Sequence, residues 1–302
     1  MSRHLLLCAA VAAALAAPLI AQQAAPEKGA KAPQPAVPPK QPLYPLSAVV
    51  DGDGAIFVAD RKLPGVWKIV DNTPAIYFQA SNKLGTPLNA VRCLALDHEG
   101  KLLAGDSATT TVYRFDDEGK PQPVHTGRVG IPTAIAVNKA GDIFVADLEP
   151  GRHAIRKIPA GGGEAVEFAK VGAPRGMTID DQGRLYVVQH VGDLLIRLDA
   201  EGKSEVLVAG QPLKSPAFPA GIVLGKDNTA YLADGYNRAV WKVPPGEAPA
   251  IFVEGEPLVH PVWLLWRGEQ LLVVDPRAKS PLIHVTLDWK AKPVELKIPA
   301  GP

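Results

Sequence analysis

A short apolar segment that ends in a polar residue recurs six times along this chain, at intervals of 41 to 46 residues. The end residues of the six copies are Asp60, Asp106, Asp147, Gln189, Asp234 and Asp275. A turn residue lies six positions before each of the first five, namely Gly54, Gly100, Gly141, Gly183 and Asn228. Gly and Asn tolerate the positive φ of a tight hairpin turn, so each copy predicts a β-hairpin.

Each copy also contains apolar segments on both sides of this hairpin. The second copy has 93–96 before the turn and 112–115 after it, and the fifth copy closes with a fourth segment at 250–253. Four strands in a unit of about 40 to 45 residues are typical of a β-propeller blade. Two β-sandwich domains would show no fixed period. We therefore predict an all-β chain, a six-bladed β-propeller with four-stranded blades over residues 43–302.

The way in which the ring closes stays open at this level. Either the first and sixth blades pack together, or a strand from the segment before Leu43 is borrowed to close the ring. The 28 Gly and 30 Pro residues agree with short strands and many turns rather than helices.

The N-terminal residues indicate where the protein is located rather than how it folds. Arg3 and His4 precede an apolar run from Leu5 to Ala21, which is typical of a secretory signal peptide over residues 1–21. An uncleaved anchor is the alternative, because the run lies at the lower edge of a membrane span. Residues 22–42 contain six prolines and predict a disordered tether. We expect a periplasmic, extracellular or cell-envelope location.

Charge and cysteine content exclude several classes of protein. The chain has 32 basic and 31 acidic side chains, so no strong field attracts nucleic acid. Cys8 falls in the predicted signal peptide, which leaves Cys93 alone and excludes a disulfide framework.

The repeats resemble the NHL repeat and the gluconolactonase/regucalcin group of six-bladed propellers. The fifth copy carries the resemblance best, from Pro219 to Lys242 with Asp234-Gly-Tyr-Asn237 inside it. The resemblance implies a six-bladed propeller. For lactonases of that group it also implies one divalent ion, usually calcium, held over the central channel by Glu, Asn and Asp. Two of these ligands come from Asn-Gly and Asp-Gly pairs at the start of innermost strands.

This chain departs from that ligand pattern. The residues fourteen positions before the end residues are Leu46, Arg92, Thr133, Arg175, Ala220 and Pro261. Arg175-Gly176 and Ala220-Gly221 stand where the resembling lactonases have Asp-Gly and Asn-Gly. An arginine would repel a calcium ion. We therefore expect no metal, no cofactor and no catalytic residues.

The recurring aspartates and the basic residues suggest a different use of the same face. An aspartate repeated in five of six copies is typical of a structural cap. The loops after the second strands and the starts of the inner strands carry eight basic and two acidic residues besides these aspartates. If the aspartates are engaged internally, this face is positive. We predict an anion-binding site at the channel mouth formed by Arg92, Arg175, Thr133, Arg61, His190 and Arg238.

The sequence therefore favours a binding or interaction module whose partner is a small anionic ligand or a protein. Nucleic acid is not expected as a partner, and a membrane only if the signal stays uncleaved. Two alternatives remain: a divergent metal-dependent lactonase-like hydrolase of the gluconolactonase group, and a structural envelope protein held by the proline-rich tether.

Overall fold

The computed structural model of the protein describes residues 39–81, 83, 85–210, 219–286 and 290–298. The predicted signal peptide and all but the last residues of the predicted tether lie outside these ranges. Within them, every regular element is a strand, and 24 strands form six four-stranded antiparallel sheets. No helix in the described ranges has the length and hydropathy needed to span a membrane.

The first three sheets, blades 1 to 3, follow one another along the chain. Blade 1 contains β1 (Pro45–Val50), β2 (Ile56–Asp60), β3 (Gly65–Val70) and β4 (Thr73–Gln79). Blade 2 contains β5 (Val91–Leu96), β6 (Leu102–Asp106), β7 (Thr111–Phe115) and β8 (Pro121–Pro123). Blade 3 contains β9 (Pro132–Val137), β10 (Ile143–Asp147), β11 (Ala154–Ile158) and β12 (Val166–Lys170).

Blades 4 to 6 repeat this order. Blade 4 contains β13 (Pro174–Ile179), β14 (Leu185–Gln189), β15 (Leu195–Leu198) and β16 (Ser204–Val208). Blade 5 contains β17 (Gly221–Leu224), β18 (Ala230–Asp234), β19 (Ala239–Val243) and β20 (Ala250–Glu254). Blade 6 contains β21 (Trp263–Arg267), β22 (Gln270–Val274), β23 (Leu282–Val285) and β24 (Ala291–Pro293). The predicted six-bladed, four-stranded architecture is confirmed.

The ring closes by packing between blades 1 and 6. The first strand of each blade contacts the first strands of its two neighbours, and β21 contacts β1. Every described sheet uses four strands that are consecutive in sequence. The join is held by one cluster that contains Ile56 and Trp67 of blade 1 together with Leu272 and Leu282 of blade 6. Of the two predicted ways of closure, the packing of terminal blades is the one found.

The hydrophobic core is divided among the interfaces between blades. The second strands β2, β6, β10 and β14 are buried at every residue, because each lies in mid-sheet with a neighbouring blade on both faces. At the interface of blades 1 and 2, for example, Phe57 and Ala59 pack with Leu102 and Tyr113. Apolar burial on both sides therefore holds each blade to its neighbours.

Two glycines allow the innermost strands to approach closely. A Cβ atom at Gly176 would lie 2.4 Å from the carbonyl oxygen of Ala220. At Gly221 it would lie 2.7 Å from Cα of Trp263. Both distances are far inside van der Waals contact. The close packing of β13, β17 and β21 therefore explains these glycines without any metal site.

Four innermost strands begin with a β-bulge. In β5, Val91 pairs with Asp106 and Cys93 pairs with Gly105, so Arg92 is the extra residue. The same irregularity leaves Leu46, Thr133 and Arg175 outside the regular ladder. A bulge commonly turns a side chain away from the direction that regular alternation would give it. These bulges lie at one end of the axial channel, which we call the channel mouth.

Candidate binding site at the channel mouth

The axial channel is closed below its mouth by Trp263. The indole Nε1 of Trp263, in blade 6, donates a hydrogen bond of 2.9 Å to the carbonyl oxygen of Ala48 in blade 1. The same side chain packs against clusters formed by blades 1 and 6, blades 2 and 3, and blades 3 and 4. Since blade 3 lies across the ring from blade 6, the indole crosses the axis. Ala48 lies two residues along β1 from the bulge residue Leu46. The indole therefore lies just below the mouth and forms its floor.

A comparison of the equivalent residues in the six blades indicates that Trp263 fills the channel. The residues that pair at the same level as Trp263 are Ser47, Cys93, Ala134, Gly176 and Gly221. All five are small, and the sixth is the largest side chain in proteins. The sequence showed that Trp263 has no counterpart in the other blades, but not that its indole fills the channel.

The repeated aspartates are structural, as predicted. Asp60, Asp106, Asp147, Asp234 and Asp275 are all at most 2% exposed. Asp275 illustrates their use, because its carboxylate accepts hydrogen bonds from the backbone N–H groups of Val259, His260, Arg277 and Ala278. The carboxylates of Asp60, Asp106 and Asp147 likewise tie the loop after their own strand to the backbone before the first strand of the blade. Asp147 also pairs with Arg156 at 3.2 Å, and Asp234 accepts hydrogen bonds from its own loop and from Trp241.

Gln189 stands in blade 4 where the other five blades have an aspartate, and its hydrogen bonds explain the difference. Its Oε1 accepts a hydrogen bond of 2.6 Å from the N–H of Gly172, and its Nε2 donates one of 2.8 Å to the carbonyl oxygen of Asp193. An amide can accept and donate at once, whereas an ionised carboxylate only accepts. The loop of blade 4 presents a carbonyl group, so glutamine suits it.

The two remaining acids of this face are also engaged. Glu149 forms an ion pair of 2.9 Å with Arg128. The carboxylate of Asp193 accepts a hydrogen bond of 2.8 Å from the N–H of Gly210. With the aspartates buried as well, the basic residues dominate the exposed charge of the face.

Arg175 is the most unusual group at the mouth. Its Nε atom is buried and has no hydrogen-bond partner, and no carboxylate of the described residues pairs with its guanidinium. Burial lowers the pKa of Arg175, and the positive charge of Arg92 lowers it further. Arg92 in blade 2 and Arg175 in blade 4 occupy equivalent bulge positions at the start of innermost strands, so both lie at the channel mouth. Two cations are thus placed at the mouth without a counter-ion among the described residues.

Arg92 is held in place by a short hydrogen-bonded chain. Its Nε donates to Oγ of Ser107 at 2.9 Å, and that oxygen lies 3.2 Å from the carbonyl oxygen of Ala90. This arrangement uses Nε alone. The two terminal nitrogens of the guanidinium make no hydrogen bond to a described residue, and they remain as donors toward the mouth.

Arg61 faces Arg92 across a cleft between blades 1 and 2. The cleft has a volume of about 250 Å³ and is also lined by Leu46, Asn89 and Ser107. The guanidinium carbon of Arg61 lies 5.9 Å from the ring centre of Tyr44, which supports it from one side. The cleft adjoins the mouth through Leu46 and Arg92.

The structure places the other three predicted residues in supporting positions. Oγ1 of Thr133 lies 3.2 Å from the carbonyl oxygen of Ala146 and 3.0 Å from that of Pro174, so it links blade 3 to the strand that carries Arg175. Nε2 of His190 lies 2.9 Å from the carbonyl oxygen of Pro219. Nε of Arg238 donates to the carbonyl oxygen of Leu258. Arg61, Arg92 and Arg175 are the three that share the mouth and its cleft.

The groups at the mouth do not fit the calcium ion that the family resemblance implies. Calcium needs several oxygen ligands, among them carboxylates. The bulge positions supply two guanidiniums and one hydroxyl that is already bonded to backbone. Nowhere in the described ranges do three His, Cys, Asp or Glu side chains come together as a metal site requires.

Comparisons with known proteins identify the fold. The chain matches a virginiamycin B lyase from Staphylococcus aureus with a TM-score of 0.65 and 18% identity, over 85% of this chain and 86% of that one. It matches a gluconolactonase from Xanthomonas campestris with a TM-score of 0.63 and 16% identity, over 78% and 85%. A chain of a nidogen/laminin complex gives 0.61 and 18%, over 75% and 87%.

The chain has the six-bladed propeller fold of these proteins. The resemblance seen in the repeats is thus confirmed for the fold. No protein-family model matches the chain, and no curated protein matches it. The matched structures include two enzymes and a protein-binding complex, so the activity must be argued from the site itself.

Proposed function

We propose that this protein is an exported propeller that binds a small anionic ligand at the channel mouth. The observation that carries the proposal is Arg175, a partly buried guanidinium without a counter-ion that lies at the same mouth as Arg92. Burying a cation without a partner is unfavourable, and an anion between the two guanidiniums removes that cost. The site is therefore complete only when an anion is bound.

Two further features support binding at this place. The carboxylates of this face are engaged internally, so they do not cancel the positive charge of Arg92 and Arg175. Trp263 closes the channel below them, which gives the ligand a floor and keeps it at the mouth.

The same groups favour binding over catalysis. A guanidinium keeps its proton throughout the physiological pH range, so neither arginine can serve as a general base. The hydroxyl of Thr133 is bonded to carbonyl oxygens and has no base beside it among the described residues. We therefore place this chain with the binding modules rather than with lactonase-like hydrolases.

Thermal unfolding with and without inorganic phosphate tests the proposal. A ligand that binds only the native state raises the melting temperature, so we expect phosphate to raise that of the wild type. The double variant Arg92→Ala with Arg175→Ala should lose this shift. Lys139→Ala is the matched control, because Lys139 is exposed and pairs only with Asp181. A shift that persists undiminished in the double variant would reject the site.

Calcium provides the opposite outcome in the same assay. A calcium-dependent rise in melting temperature that survives in the double variant would favour the lactonase-like alternative.

Export is tested separately on the N-terminus. We expect protein recovered from outside the cytoplasm to begin at Gln22, after removal of residues 1–21. An intact N-terminus in a membrane fraction would instead support the tethered envelope protein.

A further inference from the structure

The cleft between blades 1 and 2 extends the anion site away from the axis. Arg92 lines this cleft together with Arg61, and it occupies the same bulge position at the channel mouth in blade 2 as Arg175 does in blade 4. Arg92 can therefore contribute to two anion-binding positions, one with Arg175 at the axis and one with Arg61 in the cleft. A single anionic group at the axis leaves the second position unused.

The cleft itself suits an anionic group. Arg61 is exposed and has no ion pair with a described carboxylate, so its donors are available. The carboxylate of Asp60 also lines the cleft, but it is buried and accepts hydrogen bonds from the N–H groups of Leu43, Tyr44 and Lys62. Its charge is thereby compensated by the backbone.

The size and the other walls of the cleft limit the ligand. Its volume of about 250 Å³ is below the range of about 300 to 1,000 Å³ that is usual for drug-sized ligands. Leu46, Pro64 and Val91 supply apolar surface between the cationic positions. A short aliphatic spacer fits such a surface, whereas a nucleotide or a folded peptide does not fit the volume.

We infer that the ligand is a short aliphatic dicarboxylate, with one carboxylate between Arg92 and Arg175 and the other beside Arg61. This inference rests on the proposed function and names the class of ligand for the same site. The guanidinium of Arg92 is held through its Nε, so its terminal nitrogens can donate to both carboxylates.

Calorimetric titration of the purified protein with glutarate and with butyrate tests the inference, because the two acids differ by one carboxylate. We expect glutarate to bind the wild type about tenfold to a hundredfold more tightly, as one further charge-assisted contact predicts. Arg61→Gln should abolish this preference while butyrate binding stays unchanged. Arg175→Gln should weaken the binding of both acids.

The control is Lys62→Gln, which removes a neighbouring exposed charge that does not line the cleft. This variant should keep the preference for glutarate. Circular dichroism of each variant establishes that it is folded.

The failures are distinguishable. Equal binding of glutarate and butyrate, or a preference that survives in Arg61→Gln, overturns the dicarboxylate and leaves the anion site intact. Binding of phosphate but of neither acid has the same meaning. If phosphate and both acids all fail to bind the wild type, the proposed function itself is wrong.

Discussion

Replacing Arg175 by methionine should stabilise the protein when no anion is present. Methionine has a similar length and no polar group, so it removes a cation that is buried without a partner. No hydrogen bond or ion pair with a described residue is lost, because Arg175 forms none. The substitution also removes the repulsion from Arg92, which acts in the same direction.

The size of the effect follows from the buried Nε atom. An unsatisfied buried donor costs about 1 to 3 kcal/mol. Because Arg175 is only partly buried, water screens part of the guanidinium, and we expect the lower end of this range. The free energy of unfolding should therefore rise by about 1 kcal/mol.

Urea unfolding in a buffer free of phosphate, sulfate and carboxylates measures this change. The matched control is Arg114→Met, because Nε of Arg114 lies 2.7 Å from a carboxylate oxygen of buried Asp97. That variant leaves buried Asp97 with its turn N–H groups but without its cation, and it should lose stability by about 1 kcal/mol. If Arg175→Met is destabilised to the same degree, Arg175 supports the fold, and the argument for an unfilled anion site fails.

Two further changes test other parts of the structure. His125 accepts a hydrogen bond at Nε2 from the N–H of Val112 and directs Nδ1 to the carbonyl oxygen of Thr126, and burial lowers its pKa below the ordinary value near 6.5. The unfolded chain therefore binds the proton more readily, so the free energy of unfolding should fall as the pH drops through about 6.5. Urea unfolding between pH 7.5 and 5.5 measures this fall, which should be smaller in His125→Gln. Gly221→Ala would place a Cβ atom 2.7 Å from Cα of Trp263, and it should lower the free energy of unfolding by about 1 to 3 kcal/mol; an unchanged urea midpoint would contradict the close approach of β17 and β21.

The periodic features of the fold could be predicted from the sequence because they are local. A strand, its turn glycine and its terminal aspartate lie within a few residues of one another, so each copy carries its own signal. The structural role of Asp106 or Asp275 followed from the repetition itself. The partners of the basic residues in the third strands could not be predicted in this way. Arg114 in β7 pairs with Asp97 and Lys157 in β11 pairs with Asp142, on the hairpin side of the blade.

The same hairpins contained a signal that the sequence reading missed. Asp51, Asp97 and Asp180 each lie three residues before the turn glycine, and their carboxylates accept hydrogen bonds from N–H groups within the turn. A short polar side chain at that position is a recognised way to close a turn. The repeat therefore has two structural aspartates per blade where both occur, one at each end of the hairpin.

The geometry of the mouth depends on contacts between distant blades. Trp263 reaches the axis because five other blades place small residues at its level, and Arg92 and Arg175 lie at one mouth only because the ring turns the starts of β5 and β13 toward the same axis. The sequence could nominate both arginines from their position in the repeat. Their shared space, the unpartnered Nε and the floor beneath them required the assembled ring.

Crystals soaked in selenate would show whether an anion binds between the two arginines, because selenium in this tetrahedral dianion can be located by its anomalous scattering. We predict a selenium peak between the guanidinium groups of Arg92 and Arg175, and no peak there in crystals of the double alanine variant. An empty mouth in the wild type, with Arg175 paired to a protein carboxylate, would contradict it.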